Sequence, residues 1–281
     1  MKPQRPLVRY HGGKWRIAPW IMSYFPKHRT YSECFGGGGS ILLRKTRSYA
    51  EIYNDLDGEM VNLFKMVRDH SQELSRLVLA TPFARDEYRE AFEATDDPIE
   101  MARRTLIRSH MGFGSNAINR GIKSGFRANC NNATTTPATD WIGLPRIITA
   151  VAQRFLAVVL ENRNALEVME QQDSSETLHY LDPPYVHSTR AIDLMHGNHG
   201  YAHEMTDEQH CKLGDVAKEM KGMVVVSGYH SPLYDRIYSE WHVVECETMA
   251  DGKTESKSRT EVLWLNDAVW HYKKKRTLFT R

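Results

Sequence analysis

The feature that most constrains the fold is an alternation. Seven short β-rich runs punctuate the chain: "TYSECF", "SYAEIYN", "FLAVVLEN", "TLHYLD", "GMVVVSGY", "WHVVECET" and "TEVLWLN". Between several of them lie stretches with helical periodicity, such as "DGEMVNLFKMVRDH" and "TDEQHCKLGDVAKEMK". Strands alternating with helices predict an α/β sheet that is largely parallel. The last two runs follow each other across a polar turn, which predicts an antiparallel hairpin at that edge. Thr206 is placed to cap the helix before "GMVVVSGY", with Asp207 and Glu208 favourable to its dipole.

The rhythm breaks between residues 63 and 150. Here "PFARDEYREAFEA" and "DPIEMARRTLIRSHM" read as helices, the second capped by Asp97 with Pro98 at its first position. The following "GFGSNAINRGIKSGFRANCNNATTT" is too polar for a core. The pattern predicts a main domain made of 1–62 and 151–281, with 63–150 inserted as a helical unit carrying an exposed basic loop or hairpin. A net charge of +2 does not announce a nucleic-acid binder, so the local distribution matters more. Arg103, Arg104, Arg108, Arg120, Lys123 and Arg127 crowd the insertion, and "YKKKRTLFTR" adds a basic tail.

Other classes are disfavoured. Cys34, Cys130, Cys211 and Cys246 form no C-x-x-C pair, which argues against a zinc knuckle or a disulfide framework and fits a reducing compartment. No run approaches the roughly 20 apolar residues of a membrane helix, and "MKPQRPLVRYHGGKW" lacks an apolar signal core. The expectation is a soluble cytoplasmic protein with no membrane association and no obligate protein partner. His179, His187, His196, His199, His203 and His210 cluster, but without a helical H-E-x-x-H their spacing suits no metal site. They are expected to be solvated loop histidines near a substrate entrance. "SGYHSP" lacks the G-x-S-x-G elbow of a hydrolase.

Two stretches carry chemistry. "ECFGGGGS" (33–40) follows the first strand and opens a short helix; glycines at such a turn let the backbone approach a ligand closely. The next strand ends in "IYNDLD", which sets Asp55 where a nucleoside ribose can be gripped through its hydroxyls. The loop lacks the Gly-Lys-Ser/Thr ending of a triphosphate site, leaving NAD or S-adenosylmethionine. Glu33 would repel a pyrophosphate yet receive a cationic amino acid, which favours S-adenosylmethionine. The second stretch is "LDPPY". Asp182 sits at the carboxyl end of a predicted strand, and Pro183 and Pro184 fix the backbone and withhold two donors, so nearby carbonyls stay free. Asp182 and the Pro183 carbonyl can take both N–H groups of a heterocyclic amine while Tyr185 offers its ring for stacking.

"RYHGGK", "ECFGGGGS" and "DPPY", in that order, resemble the Dam-like alpha group of DNA adenine methyltransferases, which modify an exocyclic amino group. "YNDLD", "SGY" and "SRTEVLWLN" extend the resemblance over nearly the whole chain outside the insertion. It implies a Rossmann-like methyltransferase sheet with a helical target-recognition insertion, S-adenosylmethionine as cofactor and double-stranded DNA as partner. Tyr10 and Lys14 would line the methionine end of the cofactor; Glu33, Phe35, Gly36 and Gly38 belong to the glycine motif. Asp55 would hold the ribose, and Asp182 would touch both cofactor and target amine, with Pro183, Pro184 and Tyr185 completing the catalytic corner. Asn164, in "ENRNAL", stands where the family often places an Asp beside the cofactor adenine. Arg9 stands where the family can carry a base-contacting lysine; a phosphate contact or a solvated charge fits it equally.

"MGFGSNAINRGIKSGFR" is similar to the family's DNA-reading hairpin, with Asn116, Asn119, Arg120, Lys123 and Arg127 able to read base edges or hold phosphates. The target adenine would be flipped from the duplex, and its nitrogen would attack the sulfonium methyl in line. Alternatives stay open at this point: methylation of a cytosine amine, of RNA or of a protein glutamine amide, a non-catalytic DNA-binding protein on the same fold, and a nicotinamide oxidoreductase.

Overall fold

The computed structural model describes residues 2–128, 135–189, 201–249 and 258–278, and at 249, 258 and 273–278 the backbone alone. All seven β-rich runs become strands: β1 (Thr30–Glu33), β2 (Ala50–Asn54), β3 (Val158–Glu161), β4 (Thr177–Leu181), β5 (Met223–Gly228), β6 (His242–Met249) and β7 (Ser258–Leu265). They form one sheet in the order β3-β2-β1-β4-β5-β7-β6. The first five are mutually parallel, and β7 runs antiparallel to both β5 and β6. β4 and β5 are buried at every residue, as expected of strands covered on both faces. Alternate side chains divide the core: Val225 joins Tyr31, Tyr53 and Tyr180 on one face, while Val224 and Val226 join Ile52 and Leu181 on the other.

Helices α1 (Ala18–Met22) and α2 (Ser40–Arg44) flank β1. Between β2 and β3 come α3 (Gly58–Asp69), α4 (Ser71–Ala80), α5 (Arg85–Glu90), α6 (Pro98–Met111), a 3-10 turn at Ser115–Ile118, α7 (Pro137–Ile142) and α8 (Leu144–Phe155). Then α9 (Ala165–Gln172), α10 (Asp207–Glu219), α11 (Pro232–Ile237) and α12 (Asp267–Leu278) follow β3, β4, β5 and β7. Residues 63 and 150, the expected limits of the insertion, fall inside α3 and α8. Both helices also pack on the sheet. Phe64 of α3 stacks on Phe155 of α8 with centroids 4.5 Å apart, and Tyr53 of β2 lies 4.9 Å from Phe64.

The expected caps form. Asp97 accepts from Ile99 N ahead of Pro98, and Thr206 makes a reciprocal capping box with Gln209. Two expectations are corrected. Part of the insertion's basic cluster is internal: Arg103 and Arg104 bind Glu100, Arg103 also binds Glu87, and Arg108 is buried on Glu59 and the carbonyls of Ala91 and Ile118. The histidines are not uniformly solvated either. His179 on β4 and His210 on α10 are fully buried, and His210 pairs through Nδ1 with the Tyr234 hydroxyl at 3.0 Å. Burial pushes His179 down to about 4, so it is neutral at pH 7. His196 and His199, like Cys130, lie outside the described residues.

Strand order reverses between β1 and β4, because the chain leaves β1 towards β2 and leaves β4 towards β5. In a sheet of this kind the crevice beyond the carboxyl ends at that point is the ligand site. Register aligns those ends: Glu33 pairs with Tyr53 on one side and with Tyr180 on the other. The glycine loop, Asp55 and the proline corner therefore leave the sheet side by side.

Candidate active site

The loop after β1 is held from below. Gly36 N donates to Asn54 O at 2.8 Å, and Asn54 Nδ2 reaches the carbonyls of Cys34 and Arg163, tying the ends of β1, β2 and β3 together. Gly37 has φ of +47°, and a Cβ there would meet the Tyr10 ring at 2.6 Å. A side chain at Gly36 would meet the Tyr53 ring at 2.2 Å. Only glycine satisfies both requirements: a left-handed backbone and close aromatic neighbours. The turn ends at Gly39, which opens α2.

An open cleft of about 850 Å³ lies above this turn, lined by Tyr10, Lys14, Glu33, Phe35, the glycines, Asp55, Asp182 and Pro184, with 201–205 on its far side. Glu33 Oε2 accepts from the Tyr31 hydroxyl at 2.7 Å and from Leu42 N at 2.9 Å. Burial outweighs these bonds and pushes its carboxyl up to about 8. Asp55 takes Gly37 N at 2.6 Å on one oxygen and Asp57 N at 2.8 Å on the other; burial pushes it up to about 6. A neighbouring cavity shares Phe35, Leu56, Met205 and Gln209 with the first and extends to Asn164. Asn164 is exposed and caps α9 through Leu166 N at 2.9 Å.

At the proline corner, Asp182 Oδ1 is met by Lys14 Nζ and the Ser227 hydroxyl, each at 2.9 Å. Tyr180 and Ser227 hydroxyls lie 3.0 Å apart, so "SGY" on β5 braces the acid from the adjacent strand. Lys14 Nζ also donates to Gly12 O at 2.6 Å and hangs 4.7 Å above the Tyr185 ring. Burial opposes this charge, but the carboxylates of Asp182 and Glu261 outweigh it and hold the ammonium above its ordinary pKa. Tyr185 differs from expectation. Its ring is 5% exposed, covered by Lys14, rather than an open platform, and its hydroxyl donates to Glu261 Oε2 at 2.8 Å. Pro183 is buried and Pro184 faces the cleft. Ser227 and Glu261 carry contacts that residue-by-residue reading had not assigned; the only sequence signal for either was its place in "SGY" and "SRTEVLWLN".

The loop of the insertion is pinned at its base by one antiparallel bridge, Gly112 to Phe126, with Phe113 N to Gly125 O and Arg127 N to Met111 O both at 2.7 Å. It is a closed loop with a 3-10 turn near its tip, not a laddered hairpin. Lys123 is exposed, and Asn116, Asn119 and Arg127 are partly so. Asn119 Oδ1 accepts from Gly121 N at 2.9 Å. Arg120 is exposed but lies 3.3 Å from Glu59. Arg9 joins the main body to this loop: its backbone N donates to Ser109 Oγ at 2.7 Å and its guanidinium to Gly112 O at 3.2 Å. Burial and the nearby Arg127 lower its pKa.

Comparison with known proteins decides among the readings. Residues 10–251 match the family described as D12 class N6 adenine-specific DNA methyltransferase. The chain belongs to that family. A "Type II methyltransferase M1.LlaDCHI" from Lactococcus lactis subsp. cremoris is 25% identical over 290 residues, covering 93% of this chain and 95% of that protein. A "DNA adenine methylase" of Vibrio cholerae serotype O1, found in two strains, is 23% identical over 247 residues, 84% of this chain and 85% of the relative. This adenine-specific DNA methyltransferase is thus an enzyme acting on an adenine amine, which removes the cytosine, non-catalytic and nicotinamide readings. Its sheet, parallel with an antiparallel end, is the Rossmann-like methyltransferase arrangement. Among the described residues, no helix is long and apolar enough to cross a membrane.

Proposed function

We propose that this methyltransferase acts on double-stranded DNA, takes its methyl from S-adenosylmethionine, and receives the adenine as an extruded base at the Asp182–Tyr185 corner. The supporting observation is the pairing of Lys14 with Asp182: an ammonium already occupies an N–H acceptor at the cleft, beside a buried aromatic ring. An exocyclic amine presents the same donors, and competes for the same carboxylate as Lys14 moves aside.

The cleft suits the cofactor chemically. Glu33 complements an ammonium, Asp55 keeps a lone pair on each oxygen for ribose hydroxyls, and the glycine turn admits a close backbone approach. Tyr10, Lys14, Phe35, Gly36 and Gly38 would complete that binding surface, with Asn164 at the adenine end in the adjoining cavity. S-adenosylmethionine supplies a methyl group already activated on a sulfonium. Asp182, braced by Ser227, would hold the amine by one N–H, and the Pro183 carbonyl by the other. Their rigidity fixes the nitrogen lone pair, and positioning supplies most of the rate gain. Asp182 or water would take the proton afterwards.

The insertion, taken as 63–150, would form the DNA-recognition unit. Asn116, Asn119, Arg120, Lys123, Arg127 and Arg9 would face the duplex, with Arg9 suited to a guanine edge or a phosphate. A cytoplasmic location, where DNA and cofactor are both present, fits this activity. The type II name of one relative raises a restriction–modification role. The direct test is methyl transfer from tritiated S-adenosylmethionine to unmethylated plasmid DNA, with Asp182→Ala, which removes the acceptor, as control. Loss of transfer in the variant by at least about 10²-fold is expected; equal transfer would refute the corner's role.

A further inference from the structure

Glu261 lies on β7, a strand of the antiparallel edge, and is 8% exposed. A buried carboxylate is costly unless hydrogen-bonded and paired. Here its partners sit behind the cleft wall, with Lys14 lining the cleft itself. Tyr185 donates its hydroxyl at 2.8 Å, Tyr229 of the same β5 motif that braces Asp182 lies within hydrogen-bonding reach, and Lys14 acts on it through its charge. Tyr185 and Tyr229 meet edge to face, with centroids 4.6 Å apart and planes at 80°. Arg259, two residues earlier on β7, reaches over the Tyr229 ring at 5.9 Å. One carboxylate thus anchors the far end of the Tyr185 ring, the edge-to-face contact with Tyr229 restrains its rotation, and the prolines fix it at the backbone.

We propose that Glu261 is a positioning residue for methyl transfer, pinning the Tyr185 hydroxyl so that the ring is held in place for the incoming adenine once Lys14 has moved aside. This rests on the reading of Tyr185 as the base-stacking residue. Two acids then flank one ammonium: when the target amine takes over Asp182, Lys14 retains Glu261 as a countercharge.

The test is a double-mutant cycle of Glu261→Leu and Tyr185→Phe. Turnover and KM are measured on a duplex carrying the mapped target adenine, and 2-aminopurine at that position reports extrusion and stacking. Each single variant is expected to lower kcat about 10- to 100-fold, the range of a lost hydrogen bond to a charged group. KM for cofactor should stay within about twofold, and the double variant should be no worse than the poorer single one. Glu261→Gln, which keeps an oxygen acceptor for the Tyr185 hydroxyl, should recover much of the loss. Multiplying effects in the double variant, wild-type kcat in Glu261→Leu, or no difference between Gln and Leu would overturn the proposal. A wild-type protein that methylates DNA without any 2-aminopurine signal would instead remove the base-stacking reading beneath it.

Discussion

Single side chains in the cleft are tuned by burial against charge. Glu33 is the clearest case: its carboxyl is pushed up to about 8, against about 4.3 in an unfolded chain. Between those values the native state holds a proton that the unfolded chain has released. The stability this contributes is fully present below about pH 4.3 and is lost as pH rises through about 8. Thermal melting of the free protein should therefore show wild type losing ground to Glu33→Gln from about pH 5 to 9; parallel curves would contradict the shift. A cationic ligand reverses the preference by stabilising the carboxylate. Calorimetry of S-adenosylmethionine binding in buffers of different ionisation heat, near pH 7.5, should show more proton release from wild type than from Glu33→Gln. Sequence placed Glu33 beside the glycines, because an acid there has one evident chemical use. It did not place Lys14 on Asp182 or close the ring of Tyr185, since both depend on residues that meet only in the fold: 14, 182, 185, 227 and 261.

At the level of elements, local chemistry was the most legible. The caps at Asp97 and Thr206 form as read, and Gln209 adds a capping box at the second, since each needs neighbours within a few residues. Thr206→Ala should cost about 1 kcal/mol in urea unfolding, as typical N-cap losses do. The glycine turn is as strict as its sequence suggested. Gly37→Ala should cost about 1–2 kcal/mol for the left-handed backbone and displace Tyr10 as well, so cofactor affinity should fall with stability. An unchanged Kd would separate Tyr10 from the cofactor surface. The insertion was less legible. Its arginines look alike in sequence, but Arg103, Arg104 and Arg108 are held by Glu87, Glu100 and Glu59, whereas Lys123 is exposed, as is Arg120 despite its own contact with Glu59. Arg120→Ala should weaken DNA binding and lower the salt slope by about 1 if it holds a phosphate, or relax site choice if it reads a base. Unchanged affinity and specificity would remove the loop's arginine from the DNA surface.

On the scale of the whole molecule, topology does the assembling. Reversal of strand order between β1 and β4 sets the glycine turn, Asp55 and the proline corner at one crevice, although they are scattered from residue 33 to 185. The alternation of strands and helices in the sequence predicted a largely parallel sheet with Asp182 at a strand's carboxyl end, since parallel strands must be joined by crossovers, but not the order of the strands. What alternation could not give was how the insertion merges with the sheet through α3 and α8, whose aromatic rings stack on each other and meet Tyr53 of β2 at a steep angle. The central claim is that this crevice delivers a methyl group to the amino group of an adenine held by Asp182. Plasmid DNA free of methylation, incubated with the protein and S-adenosylmethionine and then mapped base by base, tests it most directly. The account predicts N6-methyladenine at one short recurring sequence with wild type and none with Asp182→Ala; methyl groups on cytosine, or adenine methylation undiminished by that substitution, would contradict it.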